Sequence, residues 1–276
     1  MALLIDGVAL VTGAGSGIGR EVAIAYAAYG ARALITADLN YSSAENTARE
    51  SEKLATNPSF RTLALAVDVS DPSSVNSMVE TAVKEFGRID YSINSAGIGV
   101  QKPASIQNVD IDEMNRFWRI NVMGTVNSMK AVSTAMIAQD SQQATTRGRT
   151  RDIGRGVIIN LASCSSYMAT PDLTQYTTSK YAVLGLTKNA ALDLAKHGVR
   201  VNAICPSWVE TPMVEAAVAG NKELEQMMQK VIPMGRIAKV EEVADVIVFM
   251  SSPLASYVTG VGWIVDGGTL LQLQSS

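Results

Sequence analysis

Short apolar runs rich in β-branched residues alternate with longer segments of helical periodicity along almost the whole chain. Seven of these runs are predicted to be strands, and they begin at Val8, Ala33, Thr62, Tyr91, Gly156, Arg200 and Trp263. Helices are predicted between them at 20–29, 43–55, 73–86, 110–139, 174–196 and 240–251. Strict alternation of strand and helix is typical of a parallel sheet with helices on both faces. The pattern therefore predicts a doubly wound α/β fold of about seven parallel strands.

Two segments interrupt this alternation, and neither has the composition of a linker, so a single domain over 1–276 is expected. The first, 140–155, is polar and rich in Arg, Thr and Gly. It is either a solvated surface insertion, which is favoured, or a specific basic contact. The second, 206–233, follows the sixth predicted strand, where a long excursion is typical of a substrate lid. Its Met227 and Met228 either contact substrate or pack on the body of the domain.

Composition narrows the function classes. Hydrophobic residues make up 47% of the 276 residues and charged residues 18%, which is enough apolar material for a large core. The net charge is -3 and the chain has no basic domain, so nucleic acid is not an expected partner. One histidine and two cysteines, with no Cys/His cluster, argue against a metal site and a disulfide framework.

The same features bear on localisation. The start of the chain, MALLIDG, lacks the basic residues and the length of a signal peptide, and no apolar run is long enough to span a bilayer. The two cysteines suit a reducing compartment. We therefore expect a cytoplasmic protein without a membrane partner.

The stretch 163–180 carries three polar groups whose spacing indicates chemistry. Tyr176 and Lys180 stand four residues apart in a predicted helix, so their side chains share one face, with Cβ atoms about 5–6 Å apart. A cation beside a phenol favours the phenolate and lowers its pKa. Ser163 ends a buried predicted strand, at the sheet edge where ligands bind. These residues predict proton transfer by a tyrosine, although this Tyr and Lys spacing is also common in helices without a function.

A glycine-rich turn, TGAGSGIG, follows the first predicted strand and precedes a predicted helix. Glycines here let the backbone approach a phosphate closely, and the helix directs its N-terminus at the negative charge. Ile18 stands where the dinucleotide fingerprint has its third glycine, so the match is not literal. Glycine-rich turns also occur for structural reasons, but the position between strand and helix favours dinucleotide binding.

Asp38 ends the second predicted strand, nineteen residues after the last glycine of this turn. A carboxylate at this distance can accept hydrogen bonds from the adenosine ribose, and it repels a 2′-phosphate. No basic residue stands at Leu39 or Asn40, although Arg20 and Arg32 are near enough in sequence to offer a phosphate contact. NAD is therefore favoured over NADP as the cofactor. The alternative for Asp38 is a turn or helix cap.

In this order and at these spacings, the motifs of the chain are similar to those of the short-chain dehydrogenase/reductase family in its compact, single-domain form. They are TGAGSGIG from Thr12, Asp68 in DVS, NSAG from Asn94, Asn121 in INVMG, Ser163, Tyr176 with Lys180, CPSWVETP from Cys205 and VDGG from Val265. The resemblance covers the chain from about Gly7 to Thr269. It implies a Rossmann-like fold and a nicotinamide dinucleotide cofactor.

The resemblance also implies roles for individual residues. Tyr176 is the implied proton donor or acceptor, Lys180 lowers its pKa and binds the nicotinamide ribose, and Ser163 holds the substrate oxygen. Asn121 is implied to bend a helix and to hold a water that links Lys180 to solvent. The implied cofactor contacts, besides Tyr176 and Lys180, are Gly13, Ser16, Gly17, Ile18, Gly19, Asp38, Leu39, Asp68, Val69, Asn94, Ala96, Gly97, Pro206, Val209 and Thr211.

The resemblance also implies which part of the cofactor some of these residues contact. Asp68 and Val69 would border the adenine, and Asn94, Ala96 and Gly97 would lie under the adenosine ribose. Val209 and Thr211 would bind the nicotinamide carboxamide. The chain departs from the family pattern at three positions near these groups, and its segment 140–155 is longer than the usual connection there. The chain has Ser95 in place of a second asparagine, Ala162 in place of a frequent serine and Ser207 in place of a common glycine. None of the departures changes the four implied catalytic residues.

Together these features predict an NAD-dependent oxidoreductase that transfers a hydride between the nicotinamide and a secondary alcohol or ketone. Tyr167, Met168, Trp208 and Met213 suggest an apolar wall and hence a bulky cyclic substrate. An NADP-dependent ketoreductase, a dehydratase or epimerase of the same fold, and a dinucleotide-binding protein without turnover are the alternatives. In the related enoyl reductases Tyr and Lys are spaced farther apart, which argues against carbon–carbon double-bond reduction.

The long predicted helices at 110–139 and 174–196 are apolar on more than one face, and the resemblance implies that they pair between subunits in a dimer or tetramer. Two further residues are expected to have no catalytic role. His197 lies near the end of a predicted helix, where its charge would suit the helix dipole. Cys164, next to Ser163, is expected to be a buried and unreactive thiol.

Overall fold

The structure is a computed structural model that describes residues 5–219, 228 and 230–271. Its strands are β1 (Val8–Thr12), β2 (Ala33–Asp38), β3 (Arg61–Ala66), β4 (Tyr91–Asn94), β5 (Gln142–Thr146), β6 (Arg149–Gly154), β7 (Gly156–Leu161), β8 (Val199–Pro206) and β9 (Gly262–Val265). Seven of them form one sheet in the order β3-β2-β1-β4-β7-β8-β9, in which every neighbouring pair is parallel. The predicted doubly wound α/β fold is therefore confirmed.

The helices of the described residues are α1 (Gly17–Ala28), α2 (Tyr41–Leu54), α3 (Pro72–Phe86), α4 (Ile111–Phe117), α5 (Gly124–Ala138), α6 (Thr174–Ala195), α7 (Pro212–Val218) and α8 (Val240–Ser251). A π-helical turn, Trp118–Met123, joins α4 to α5 where one long helix is predicted. None of the helices in the described residues is long and apolar enough to cross a membrane.

The side chains of β1 show how the sheet divides the core. Ala9 and Val11 pack in an apolar cluster with residues of α1 and α8, whereas Val8 and Leu10 pack in a second cluster with residues of α3 and α5. Successive residues of a strand point to opposite faces, so a strand buried on both sides reads as a continuous apolar run. All five residues of β1 are buried.

The segment between α5 and β7 folds as an antiparallel hairpin of β5 and β6. Its turn residues Arg147 and Gly148 both have positive φ, 52° and 70°, as a two-residue type I′ turn requires. Arg147, Arg149 and Thr150 are exposed. The end of the hairpin is thus solvated, as the favoured interpretation of 140–155 expects.

Two other arginines of this segment make the specific contacts that the alternative interpretation expects. Arg151 donates to the carbonyl of Pro253 over 2.6 Å and to the hydroxyl of Ser256 over 3.1 Å. Arg155 donates to the carbonyls of Gln139 and His197, each over 2.9 Å. These partners hold the hairpin against the segments that follow α5 and α8 and the segment that precedes β8, at the amino edge of the sheet.

Candidate active site

A cavity of about 420 Å³ opens at the carboxyl edge of the sheet. Its walls are the segments that follow β1, β2, β3, β4, β7 and β8, and the first residues of α7 lie across it. The strand order reverses between β1 and β4, and ligands of open α/β sheets bind at such a switch point. The hairpin of β5 and β6 lies at the opposite edge, so it takes no part in the cavity.

Most of the predicted site residues come together in this cavity. Those that line it are Gly13, Ser16, Gly17, Ile18, Gly19, Asp38, Leu39, Asp68, Val69, Ala96, Gly97, Ser163, Tyr176, Lys180, Pro206, Val209 and Thr211. The carboxyl ends of parallel strands meet at one edge of the sheet, which explains why residues so far apart in sequence converge. Asn94 and Asn121 are not among the lining residues.

The glycine-rich turn after β1 is closely packed. Gly13 and Gly17 have positive φ, 68° and 53°, which side chains disfavour. A Cβ atom on Gly19 would collide with the carbonyl of Gly13. The backbone can therefore make this turn, and present its N–H groups to the cavity, only with glycines at these positions.

The carboxylate of Asp38 is held at the end of β2 by two backbone groups. Oδ2 accepts from the N–H of Gly15 and Oδ1 from that of Asn40, each over 2.9 Å. Asp38 is therefore a turn residue and a wall of the cavity at the same time. The turn role of Asp38 is thus observed, and its role toward a ribose stays a prediction.

Arg20 and Arg32 are the two arginines that could have offered a contact to a 2′-phosphate, and neither is available beside Asp38. Arg20 donates to Glu50 over 2.5 Å and lies 3.8 Å from Glu21. Arg32 precedes the first residue of β2, whereas Asp38 is its last residue, so the two lie at opposite edges of the sheet. Among the residues that line the cavity in the described part of the chain, Lys180 alone carries a positive charge.

The proton-transfer group is built from β7 and α6. Ser163 follows β7, and its hydroxyl lies close enough to the phenol of Tyr176 to influence the pKa of that phenol. Nζ of Lys180 lies 5.6 Å from the centre of the Tyr176 ring and donates to the carbonyl of Leu161 over 2.7 Å. Phe117 packs edge-on against the same ring, with 6.5 Å between the ring centres. Hydroxyl, phenol and ammonium thus lie together on the cavity wall.

The pKa of Tyr176 differs from the sequence-based expectation. Burial desolvates the phenol and raises its pKa, and the hydrogen bond with Ser163 opposes this rise without cancelling it. Burial also lowers the pKa of Lys180 to about 8, because the ammonium has no carboxylate partner among its contacts. Lys180 is not among the groups that shift the pKa of Tyr176, and the net direction is upward, opposite to the lowering that the spacing predicts.

Asn121 lies in the π-helical turn and joins the two walls of the cavity. Its Oδ1 accepts from the N–H of Ile98 over 2.8 Å, and its Nδ2 donates to the carbonyl of Ile98 and to the hydroxyl of Ser179, each over 3.1 Å. Ser179 in turn donates to the carbonyl of Tyr176 over 2.7 Å. The amide thus ties the segment after β4 to the helix that carries Tyr176 and Lys180. Periodicity alone gives no signal for these contacts.

The side chain of Asn94 lies inside the sheet layer instead of under a ligand. It is 4% exposed and donates to Oδ1 of Asn160 over 2.8 Å. Asn160 in turn donates to the hydroxyl of Thr187 in α6 over 2.9 Å. Asn94 therefore supports the cavity wall from behind, while its neighbours Ser95 and Ala96 face the cavity.

The predicted apolar wall is only partly present. Met213 lines the cavity, but Tyr167, Met168 and Trp208 are not among the lining residues. The hydroxyl of Tyr167 instead donates to the carbonyl of Gly262 over 2.9 Å. Lining residues without a predicted role in the site include Ile98 and Ile120, and the π-helical turn brings Ile120 there. Ile98 directly follows the predicted Gly97, so extending that motif by one residue would have identified it.

Cys164 and His197, which are expected to have no catalytic role, do not line the cavity. Cys164 is buried, and its burial raises the pKa of the thiol to about 12. The carbonyl of His197 accepts from Arg155, and its ring takes no part in the cavity. Within the described residues, no three His, Cys, Asp or Glu side chains are grouped to hold a metal ion.

Comparison with known proteins agrees with this geometry. Residues 13–269 match the family model described as Enoyl-(Acyl carrier protein) reductase. The short-chain dehydrogenase anuF of Penicillium roqueforti is 59% identical over 275 residues, which is 100% of each chain. The solved structure of levodione reductase has a TM-score of 0.86 at 31% identity and covers 97% of this chain and 99% of its own.

A second solved structure, 3-ketoacyl-(acyl-carrier-protein) reductase from Brucella melitensis complexed with NADH, has a TM-score of 0.80 at 31% identity. The match covers 95% of this chain and 98% of that one. A family-model match over nearly the whole chain and a full-length relative at this identity agree with the glycine-rich turn and the Ser, Tyr and Lys of the cavity. The chain belongs to the short-chain dehydrogenase/reductase family, whose members are oxidoreductases that bind a nicotinamide dinucleotide.

Proposed function

We propose that the protein is an NAD-dependent oxidoreductase that transfers a hydride between the nicotinamide and the carbon of a secondary alcohol or ketone. The observation that carries the proposal is the grouping of Ser163, Tyr176 and Lys180 on the wall of the cavity that also contains the glycine-rich turn and Asp38. A binding module without turnover has no need of this group.

The residues of the cavity fit a dinucleotide. Gly13, Gly17 and Gly19 allow the close packing of the turn after β1, and such a turn between a strand and a helix supports the approach of a pyrophosphate to the backbone. Asp38 has carboxylate oxygens free to accept further hydrogen bonds from ribose hydroxyls. Asp68 and Val69 would border the adenine, and Val209 and Thr211 the carboxamide.

NAD is favoured over NADP on electrostatic grounds. A 2′-phosphate at Asp38 would meet a carboxylate, and like charges repel. Arg20 is paired with Glu50, and Arg32 lies at the other edge of the sheet. The similar Brucella melitensis structure, which is complexed with NADH, supports the same preference.

The chain's own residues account for the proton transfers. The bound nicotinamide supplies the hydride chemistry. In the reductive direction Ser163 holds the carbonyl oxygen of the substrate, and the phenol of Tyr176 donates the proton that this oxygen takes up. In the oxidative direction the Tyr176 phenolate accepts the hydroxyl proton. Because burial raises the pKa of Tyr176, the phenol is the prevailing form at neutral pH, and oxidation should accelerate as the pH rises.

The substrate is proposed to be bulky, apolar and cyclic. Ile98, Ile120, Met213 and Val214 give the open side of the cavity an apolar lining, next to the polar group at Ser163. Such a site orients a large hydrocarbon body by packing and a single oxygen by hydrogen bonds. The levodione reductase structure supports a ketone as one partner of the reaction.

The segment 206–233 is proposed to act as the substrate lid of this single-domain protein. Helix α7 lies over the cavity, and Met228 is 2% exposed, which supports a packing role for it. Met227 lies outside the described residues. We also propose a cytoplasmic location, which the two free, buried cysteines support.

We expect NADH to bind more tightly than NADPH by about tenfold or more, the effect of one unfavourable charge contact in a partly buried site. A fluorescence titration of each nucleotide measures the ratio. Absorbance of the same samples with substituted cyclohexanols and cyclohexanones then reports turnover. Tighter binding of NADPH would overturn the cofactor assignment, and binding without turnover across the panel would favour the non-catalytic alternative.

We further propose that the protein is a homo-oligomer, a dimer or a tetramer. The helical layer of α4, the π-helical turn, α5 and α6 exposes large apolar side chains: Ile111, Trp118, Met123, Tyr181 and Leu192. Apolar surface of this extent is typical of protein contacts. Sedimentation velocity at micromolar concentration should give at least the mass of a dimer, that is, twice 29.3 kDa. A monomer under these conditions would contradict the proposal.

A further inference from the structure

The side chain of Met213 occupies the space in which a side chain on residue 99 would lie. The φ of Gly99 is outside the left-handed region, so the backbone conformation there does not require glycine. A Cβ atom on Gly99 would lie 2.5 Å from Sδ and 2.9 Å from Cγ of Met213, closer than real Cβ atoms approach any atom. The thioether of Met213 is therefore seated directly on Gly99.

This contact crosses the mouth of the cavity. Gly99 follows Gly97 and Ile98, which line the cavity on the side of β4, whereas Met213 belongs to the first turn of α7. The residue before this helix, Thr211, lies on the glycine-rich turn: its Cγ2 is 3.4 Å from the Cβ position of Gly17. The start of α7 thus spans the cavity from one wall to the other and rests on a glycine at each end.

The first turn of α7 forms a roof over the cavity, and a hydrogen bond holds this turn together. The side chain of Thr211 accepts from the N–H of Val214 over 3.3 Å, which fixes the first turn of α7 to its N-cap. Met213 is 47% exposed and has a flexible side chain, so lifting it from Gly99 exposes only part of one apolar side chain. The glycine-rich turn, Lys180 and the first turn of α7 line the same cavity, so a dinucleotide bound there would lie under this roof.

We propose that Met213, seated on Gly99, is the latch that holds α7 closed over the bound dinucleotide and sets the rate of its release. The inference rests on the proposed function, because it takes the dinucleotide to occupy this cavity. Lid opening limits turnover in many enzymes, so a latch of this kind influences kcat without touching the reacting atoms. A plain packing contact would affect stability and leave the release rate unchanged.

Stopped-flow release of NADH, followed by fluorescence, tests the latch without any substrate. Gly99→Ala places a methyl group against the thioether, and Met213→Ala removes the thioether. Each is expected to speed release about fivefold, the effect of losing a half-buried methionine contact. The double variant should release NADH no faster than Met213→Ala, because the methyl group on residue 99 then meets nothing.

Two controls separate the latch from general disturbance. Gly185→Ala adds a methyl group in α6 at a place with no other atom within 4 Å, and it should leave release unchanged. Met213→Leu restores an apolar side chain of similar volume and should keep release slow. Thermal unfolding of each variant shows that it is folded.

The outcomes distinguish the latch from the proposed function. If the wild-type protein binds neither NADH nor NADPH, the proposed function fails, and the latch fails with it. If the wild type binds NADH and all variants release it at one rate, or if the effects of the two single variants add, the latch is overturned while the proposed function stands. If NADPH is the nucleotide that binds, the same experiment is run with NADPH.

Discussion

Replacing Tyr176 with phenylalanine is expected to reduce turnover by about 1000-fold or more while NADH affinity stays within about twofold. The substitution removes only the hydroxyl, which lies beside Ser163 in the cavity and is the proposed proton donor. The ring and its edge-on contact with Phe117 remain, so α6 keeps its packing. Initial rates with a cyclohexanone and a fluorescence titration of NADH measure the two quantities on one preparation.

Tyr167→Phe is the matched control. Tyr167 also carries a hydroxyl with a protein partner, the carbonyl of Gly262, but it does not line the cavity. Its loss should cost about 1 kcal/mol of stability and leave turnover unchanged. Wild-type turnover in Tyr176→Phe would remove Tyr176 from the proposed mechanism. Loss of NADH binding in that variant would show that the phenol has a different role, in holding the cofactor.

The sheet and the position of the cavity could be predicted because both depend on simple periodic signals. The strands are apolar on both faces, as Val8 to Val11 show, and such runs alternate with helical patterns. Once the sheet is known to be parallel, residues that end strands must meet at one edge. This is why Asp38 at the end of β2 and Ser163 after β7 lie in the same cavity.

Side-chain directions and local irregularities could not be predicted in this way. The π-helical turn Trp118–Met123 depends on backbone bonding of a kind that periodicity does not report. Asn121 lies in this turn and forms hydrogen bonds with Ile98 and Ser179. Asn94 was expected at the ligand, but its hydrogen bond with Asn160 holds it inside the sheet.

The directions in which the pKa values of Tyr176 and Lys180 shift could not be predicted from the sequence either. The four-residue spacing of Tyr176 and Lys180 correctly indicates a shared face, with the ammonium 5.6 Å from the ring centre. It carries no information on how deeply the pair is buried. Burial raises the pKa of the phenol and lowers the pKa of the ammonium, and burial is the largest cause of both shifts.

Lys180→Met is expected to lower turnover at neutral pH by about 100-fold or more and to weaken NADH binding. The substitution keeps much of the apolar stem but removes the ammonium, which lies beside the Tyr176 ring and donates to the carbonyl of Leu161. Below the Lys180 pKa of about 8 the ammonium favours the phenolate, so its removal makes the phenolate rarer at neutral pH. The pH at which alcohol oxidation reaches half its maximal rate should therefore move upward.

The pH profile of alcohol oxidation separates this electrostatic role from a structural one. A variant that is merely distorted loses rate equally at every pH, whereas loss of the charge is partly recovered at alkaline pH, where Tyr176 ionises without help. Lys188→Met serves as the control, since Lys188 is exposed on the same helix and does not line the cavity. Its profile should match that of the wild type. An unshifted profile in Lys180→Met would mean that Lys180 acts only by positioning the cofactor, and that the Ser163 hydrogen bond is left as the main influence favouring the phenolate.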